Sequence, residues 1–144
     1  MVRVEFRVDG KPPKKIRKKS LWTAKSQYNH IKELREKAHQ AKTTSAIATF
    51  MNEVTLKIEI HVPSSQNINT RQEIFVGDLD NLISGICEGL MGTWSRYEYN
   101  QQDPAQGKPI MYNDDSQIKS IHAEKIVEPE DKKPYYTVSI EGKD

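Results

Sequence analysis

The sequence lacks several features that would place a protein in a specialised class. Cys87 is the only cysteine in 144 residues, which excludes an intrachain disulfide and fits a reducing compartment. No apolar run approaches the roughly 20 residues that a membrane-spanning helix needs. The opening MVRVEFRV alternates and does not form the apolar centre of a signal peptide. We therefore expect a cytoplasmic protein with no part in the membrane.

A strong net charge is also missing, since the formal charge is only +2. The distribution of charge is more informative, because residues 11–19, KPPKKIRKK, hold six basic residues and no acid. Such a run is typical of a solvated loop, and also of a segment that contacts phosphate groups. The candidate DNA-binding residues of this basic loop are Lys14, Lys15, Arg17, Lys18 and Lys19.

Hydrophobic periodicity divides the chain into strands and helices. Alternation predicts strands at 2–8, 54–62, 117–127 and 135–141. Steps of three and four predict helices from Trp22 to about Lys42, with Ser20 or Thr23 as the cap, and from about Asp80 to Met91. We expect one domain over residues 1–144, of α+β or mixed α/β class. A single mixed sheet of about four strands would carry both helices.

The second predicted helix opens with two aspartates, in FVGDLDNL. Residues two apart in an extended segment project to the same side, so the carboxylates of Asp78 and Asp80 should converge. One interpretation makes Asp80 the helix N-cap and leaves Asp78 solvated. The other makes the pair part of a functional site. The spacing alone leaves both interpretations open.

A second acidic pair, Asp114 and Asp115, precedes the third predicted strand in MYNDDSQI. The sheet could bring it back to the first pair, although NDD alone is typical of a turn. Three or four carboxylates at one sheet edge would raise one another's pKa unless a cation lay among them. Because no His or Cys stands at ligand spacing, these oxygen ligands favour Mg²⁺ or Mn²⁺ over zinc.

Four segments, in this order and spacing, resemble the RusA-type Holliday junction resolvases over nearly the whole chain. They are GKPPKKIRKK after a strand, DLDNL opening a helix, EGL late in that helix, and DDSQIKSIHAEK leading into a strand. The resemblance implies a RusA-like fold and a small homodimeric, Mg²⁺-dependent endonuclease. Such an enzyme nicks four-way DNA junctions symmetrically and uses no organic cofactor. The resemblance also implies that Asp78, Asp80 and Asp115 are the catalytic, metal-binding carboxylates, with Asp114 beside them.

The chain departs from the family pattern at the residue that should face the scissile phosphate. Ser84 stands where family members carry a lysine, four residues after the second aspartate. Lys125, which matches a family lysine in the following strand, is one candidate to replace that charge, and Lys119 and the basic loop are others. The basic run that can precede the first aspartate is also replaced, by QEIFVG, with only Arg71 nearby.

A long irregular stretch, 92–113, separates the two acidic pairs and is longer than the family pattern needs. Its Trp94, Arg96, Tyr97 and Tyr99 could stack on unpaired bases, although packing on the same domain or on a dimer partner is favoured.

Three functions remain open from the sequence: a structure-selective endonuclease, a junction-binding protein without turnover, and a binding module with a structural cation. The basic loop argues against the third, and Ser84 is the best support for the second.

Overall fold

The computed structural model describes residues 1–69, 75–93 and 97–143. Within these residues, four strands form one mixed sheet that carries two α-helices, which confirms the predicted α+β architecture and element order. In chain order the elements are β1 (Val2–Asp9), α1 (Tyr28–Thr44), β2 (Val54–Pro63), α2 (Leu79–Gly89), β3 (Ile118–Glu128) and β4 (Tyr135–Gly142).

The spatial order of the strands is β1-β4-β2-β3, so the last strand in sequence lies between the first two. β4 is antiparallel to both β1 and β2, whereas β3 lies parallel to β2 at the sheet edge. In the resulting register, Val4 faces Ile140, which faces Leu56, which in turn faces Ile121. Because side chains alternate along a strand, this register aligns the apolar positions of all four strands on one face.

Both helices pack against that apolar face and complete the core. α1 contributes Leu34 and Ala38, and α2 contributes Leu82 and Ile86, all of them fully buried. The opposite face carries exposed polar side chains such as Lys57. The molecule therefore has two layers, and every element of the site described below lies on the helical layer or at its edge.

The first helix begins later than its apolar pattern predicts. Residues 21–27 form short 3₁₀ turns, and α1 starts at Tyr28. The Ser20 hydroxyl accepts a hydrogen bond from the Trp22 amide at 3.4 Å, so the serine caps the first 3₁₀ turn and not α1. Ala24, with φ −85° and ψ 85°, has a non-helical backbone and separates the turns. Trp22 joins Leu21, Ile31 and Tyr99 in a second small core.

The 92–113 stretch is held to the domain by a buried ion pair, as far as the structure describes it. Arg35 of α1 and Asp103 are both fully buried at their side chains, and their second hydrogen bond measures 3.0 Å. The Arg35 guanidinium also donates to the Gly89 carbonyl at 2.8 Å, which joins this stretch to the end of α2. Tyr99 donates to Asp103 at 2.8 Å.

The tyrosines of the stretch therefore pack on their own domain, as the sequence favoured. Tyr97 and Tyr99 both belong to the second core. Trp94 and Arg96 lie outside the described residues, as does Arg71. Neither α1, α2 nor any other helix of the described residues has the length and apolar character to span a bilayer.

Candidate metal and nucleic-acid site

Two exposed carboxylates lie at the start of α2. Asp78 occupies the N-cap position with an extended backbone (φ −72°, ψ 145°), yet its side chain makes no capping hydrogen bond. Asp80 lies in the first helical turn, and both residues are exposed. No described residue donates a hydrogen bond to either carboxylate. The N-cap interpretation of Asp80 is therefore wrong about the position, and Asp78, which holds that position, leaves its carboxylate free for another partner.

Lys125 brings a positive charge to the same place from the edge strand β3. Its ammonium donates to the carbonyl oxygens of Asn67 and Gly77, each at 2.9 Å. Burial lowers the pKa of Lys125, and the negative charge of nearby Asp78 partly opposes that shift. Lys125, Gly77 and Asp78 therefore form one electrostatic unit at the start of α2.

The basic loop lies along α2, where its contacts run from Asn81 to Glu88. The Lys15 amide donates to the Asn81 carbonyl at 3.0 Å, and the Lys15 ammonium is 3.3 Å from the Glu88 carboxylate. A Cβ built at Gly85 would lie 2.9 Å from the Lys14 Cα and closer still to the Pro13 carbonyl oxygen. The loop approaches α2 this closely because Gly85 has no side chain.

The Lys14 side chain approaches Gly77, the residue before Asp78, whereas the basic residues at the end of the loop extend into solvent. The Lys14 amide donates to the Gln27 side chain at 3.0 Å, and its Cδ lies 3.3 Å from the place that a Gly77 Cβ would occupy. Arg17, Lys18 and Lys19 are exposed. The first half of the loop is thus packed, and its second half is accessible to a large ligand.

Ser84 and Lys119 are the other two positions considered for the positive charge of the family lysine. Ser84 is half-buried on α2, one helical turn beyond Asp80, and carries no charge. Lys119 lies near the beginning of β3, with its ammonium 3.9 Å from Glu53. Six residues of extended chain, about 20 Å, separate it from Lys125. Of the two strand lysines, the structure therefore places only Lys125 beside Asp78.

The second acidic pair is largely satisfied by its own surroundings. Asp114 caps the short 3₁₀ turn Asp115–Gln117, accepting from the Ser116 amide at 3.1 Å, and Gln117 completes a capping box. The Ser116 amide and the Asp115 carboxyl hold the pKa of Asp114 low, while the hydrogen bond with Asp114 and burial raise the pKa of Asp115. The two carboxyls of this pair thus interact with each other, and Asp114 is stabilised as the anion by an amide of its own turn.

The structure does not join the two pairs into one metal-holding group. Glu88, in the last turn of α2, is the charged neighbour of Asp115 beyond Asp114. Eight residues of helix, about 12 Å, separate Glu88 from Asp80. Across the three described ranges, no group of three or more His, Cys, Asp and Glu side chains could hold one ion.

The Asp78–Asp80 pair nevertheless fits Mg²⁺ by its chemistry. This ion is commonly held by one or two carboxylates, with water and substrate phosphate oxygens completing its shell. Two free, exposed carboxylates supply such a site, and Mn²⁺ accepts the same oxygen ligands.

Two features of this site were missed by sequence reasoning. The contacts of Lys125 with Asn67 and Gly77 depend on a strand and a loop that are far apart in sequence, and no local pattern signals them. Gly85 did carry a signal, because a glycine inside a helical pattern costs about 1 kcal/mol and suggests close packing.

Comparison with known proteins adds no family assignment: no protein-family model matches this chain, and no curated protein matches it.

Proposed function

We propose that this protein is a Mg²⁺-dependent, structure-selective DNA endonuclease of the RusA type, able to use Mn²⁺, that resolves four-way junctions by paired symmetric nicks. The observation that carries the proposal is the pair of uncommitted carboxylates at the start of α2, with the basic loop packed beside them. Carboxylates at an exposed helix start can hold a divalent ion, and an adjacent cationic loop can hold the phosphate backbone of DNA.

The proposed role of each group of residues follows from its position. Asp78 and Asp80 would hold the Mg²⁺ ion, which when bound supplies an activated water and neutralises charge developing on the phosphate. Lys14 and Lys125 add positive charge near these carboxylates, which favours the binding of a DNA phosphate group there. The exposed residues Arg17, Lys18 and Lys19 would contact the backbone of a DNA arm and position it without reading its sequence.

The substrate's symmetry sets the expected assembly. A four-way junction is resolved by two opposed nicks, and a homodimer with two-fold symmetry presents two equivalent sites. The whole chain, 1–144, would form one RusA-like domain in each protomer. We place this activity in the cytoplasm, where the single free cysteine would remain reduced.

A second candidate function is a junction-binding protein with little or no turnover. Two observations favour it: Ser84 supplies no charge at the family's lysine position, and Asp115 is engaged by Asp114 instead of joining Asp78 and Asp80. Such a protein would keep the basic loop and bind DNA, while the metal site would be too sparse for fast chemistry.

The two functions are distinguished with an end-labelled synthetic four-way junction and a linear duplex of the same sequence. Each DNA is incubated with the protein in EDTA, Mg²⁺ or Mn²⁺ and analysed on native and denaturing gels. Paired nicks of the junction that need a divalent ion support the endonuclease. A native-gel shift with no product in either metal supports the second candidate, and equal cutting of the linear duplex contradicts structure selectivity.

A further inference from the structure

Lys125 is held in place more firmly than an ordinary strand lysine. It faces the helical layer from β3, opposite Ile60 of β2, and is half-buried. Its ammonium links two segments, the Asn67 carbonyl beyond the end of β2 and the Gly77 carbonyl before α2. The Phe75 ring covers another side, with its centroid 5.3 Å from the ammonium nitrogen. These contacts therefore hold the Lys125 ammonium, and its positive charge, in one position.

The Lys125 ammonium lies close to the backbone of Asp78. The Gly77 carbonyl belongs to the planar peptide unit that leads into Asp78, so the Lys125 ammonium lies one peptide away from the aspartate backbone. Gly77 has φ +144°, a conformation that side-chain-bearing residues rarely adopt, so the turn geometry is specific.

The ammonium retains capacity for a further ligand. It carries three N–H donors, and two of them are used by backbone carbonyls. Over residues 1–69, 75–93 and 97–143, no further acceptor takes the third donor. Within these residues, one N–H donor and the positive charge of the ammonium therefore remain available near the Asp78 carboxylate.

The neighbouring positions do not supply an equally fixed charge. Ser84 on α2 is neutral, and the Lys15 ammonium lies against Glu88, toward the far end of the helix. The Lys14 side chain passes Gly77, but no described residue accepts a hydrogen bond from its ammonium. We propose that Lys125 is the fixed positive charge of the Asp78–Asp80 site, held by the carbonyls of Asn67 and Gly77 so that it faces the phosphate of a bound DNA strand. The role toward phosphate rests on the proposed function, whereas the effect of the charge on a bound cation does not.

The test uses variants of the full-length protein that remove, keep or move the positive charge of Lys125. Lys125→Met removes it, Lys125→Arg keeps it, and Lys125→Met combined with Ser84→Lys moves it to α2. Lys57→Met, on the opposite face of the sheet, is the matched control. Three quantities are measured for each protein: Mg²⁺ affinity without DNA by calorimetry, single-turnover cleavage of the junction, and thermal unfolding.

Loss of a nearby positive charge should make Lys125→Met bind Mg²⁺ about fivefold more tightly, because repulsion of the ion falls. Junction cleavage should nevertheless slow about a hundredfold, since the placed donor at the phosphate is removed. Lys125→Arg and Lys57→Met should keep both properties, and Ser84→Lys should recover most of the cleavage that Lys125→Met abolishes.

Lys125→Met could slow cleavage simply by disturbing the fold. The single variant Ser84→Lys avoids this ambiguity, because it leaves every hydrogen bond of Lys125 in place. It should not accelerate cleavage, since the charge is already supplied. Acceleration would overturn the proposal, as would an unchanged Mg²⁺ affinity in folded Lys125→Met. The proposal would also be overturned if Lys125→Met bound Mg²⁺ more weakly, unfolded at a lower temperature, and regained no cleavage when combined with Ser84→Lys. Lys125 would then have only a structural role. If the parent protein cuts no DNA, the nuclease proposal fails, while tighter Mg²⁺ binding by Lys125→Met still supports the placed charge.

Discussion

The two aspartate pairs have similar sequences but opposite environments. Asp78 and Asp80 lie at the start of α2 without a side-chain cap, and Asp78 lies near the Lys125 ammonium. Asp114 caps a short 3₁₀ turn that begins at Asp115, and the two carboxyls of this pair interact with each other. All four residues are exposed. Exposure and spacing therefore do not distinguish the two pairs, whereas their hydrogen-bond partners and charged neighbours do.

The difference has a simple electrostatic origin. Two adjacent carboxylates must lower their mutual repulsion, either by binding a proton or by attracting a cation. In the Asp114–Asp115 pair, the Ser116 amide and the Asp115 carboxyl lower the pKa of Asp114, whereas the hydrogen bond with Asp114 and burial raise the pKa of Asp115. Asp78 instead lies near the Lys125 ammonium, and no described residue donates a hydrogen bond to the carboxylate of Asp78 or Asp80.

The largest expected effect comes from Asp80→Asn, which removes one free ligand and keeps the side-chain shape. Cleavage of the junction should fall by at least about a hundredfold, because a metal-binding charge is removed. Junction binding should be unchanged or tighter, since repulsion of phosphate decreases. Single-turnover cleavage and a binding titration check both statements. Asp131→Asn, an exposed aspartate in the β3–β4 loop, is the control, and parental activity in Asp80→Asn would remove Asp80 from the site.

Neutralising the basic loop should give the next largest effect, now on binding. Changing Lys14, Lys15, Arg17, Lys18 and Lys19 to glutamine should weaken binding to all DNA structures by about a hundredfold near 0.1 M salt. The salt dependence should flatten by about 0.9 in slope for each phosphate that the loop no longer neutralises. The control neutralises five exposed lysines outside the loop: Lys37, Lys57, Lys132, Lys133 and Lys143. An unchanged slope would make the loop a solvated connection.

A smaller effect is expected from Gly85→Ala, which tests whether the loop is placed by α2. Alanine ordinarily stabilises a helix interior by about 1 kcal/mol relative to glycine. Here the added methyl group meets the backbone of Pro13 and Lys14, so we expect a net loss of about 2 kcal/mol in unfolding free energy. Urea unfolding measures it, with Gln40→Ala on the exposed side of α1 as the control. A stabilised Gly85→Ala would mean that the loop lies farther from the helix.

The smallest effect should come from Asp115→Asn, which asks whether the second pair belongs to the metal site. We expect Asp115→Asn to reduce Mg²⁺ affinity less than Asp80→Asn does, since Asp115 is already engaged by Asp114. Calorimetry without DNA compares the two variants. An equal or larger loss for Asp115→Asn would join the two pairs into one site, as the RusA resemblance implies.

The same variant has a pH signature with a definite sign. The pKa of Asp115 is raised in the folded protein, so this group stabilises the fold below its ordinary pKa of 3.8 and loses that contribution as pH rises through the folded value. At neutral pH, Asp115→Asn should therefore unfold at an equal or slightly higher temperature than the parent. That advantage should vanish below about pH 4. A destabilised variant at neutral pH would contradict the raised pKa of Asp115.

The strands, the second helix and the candidate residues of this protein all follow from local patterns in the chain. Alternation at Val4, Val8 and Leu56 requires strands with one buried face, and the apolar steps of α2 require a helix, because burial of apolar side chains follows local periodicity. The composition of the basic loop and the positions of the aspartates are likewise local facts.

Tertiary structure alone decided which of these residues work together. The insertion of β4 between β1 and β2, the approach of Pro13 to Gly85, and the contacts of Lys125 with Asn67 and Gly77 all join segments far apart in sequence. Local patterns carry no information about such contacts, since these depend on how complete faces pack. The two acidic pairs look alike in the chain for this reason, and the folded neighbours of each pair, a capped 3₁₀ turn or a lysine ammonium, make them different.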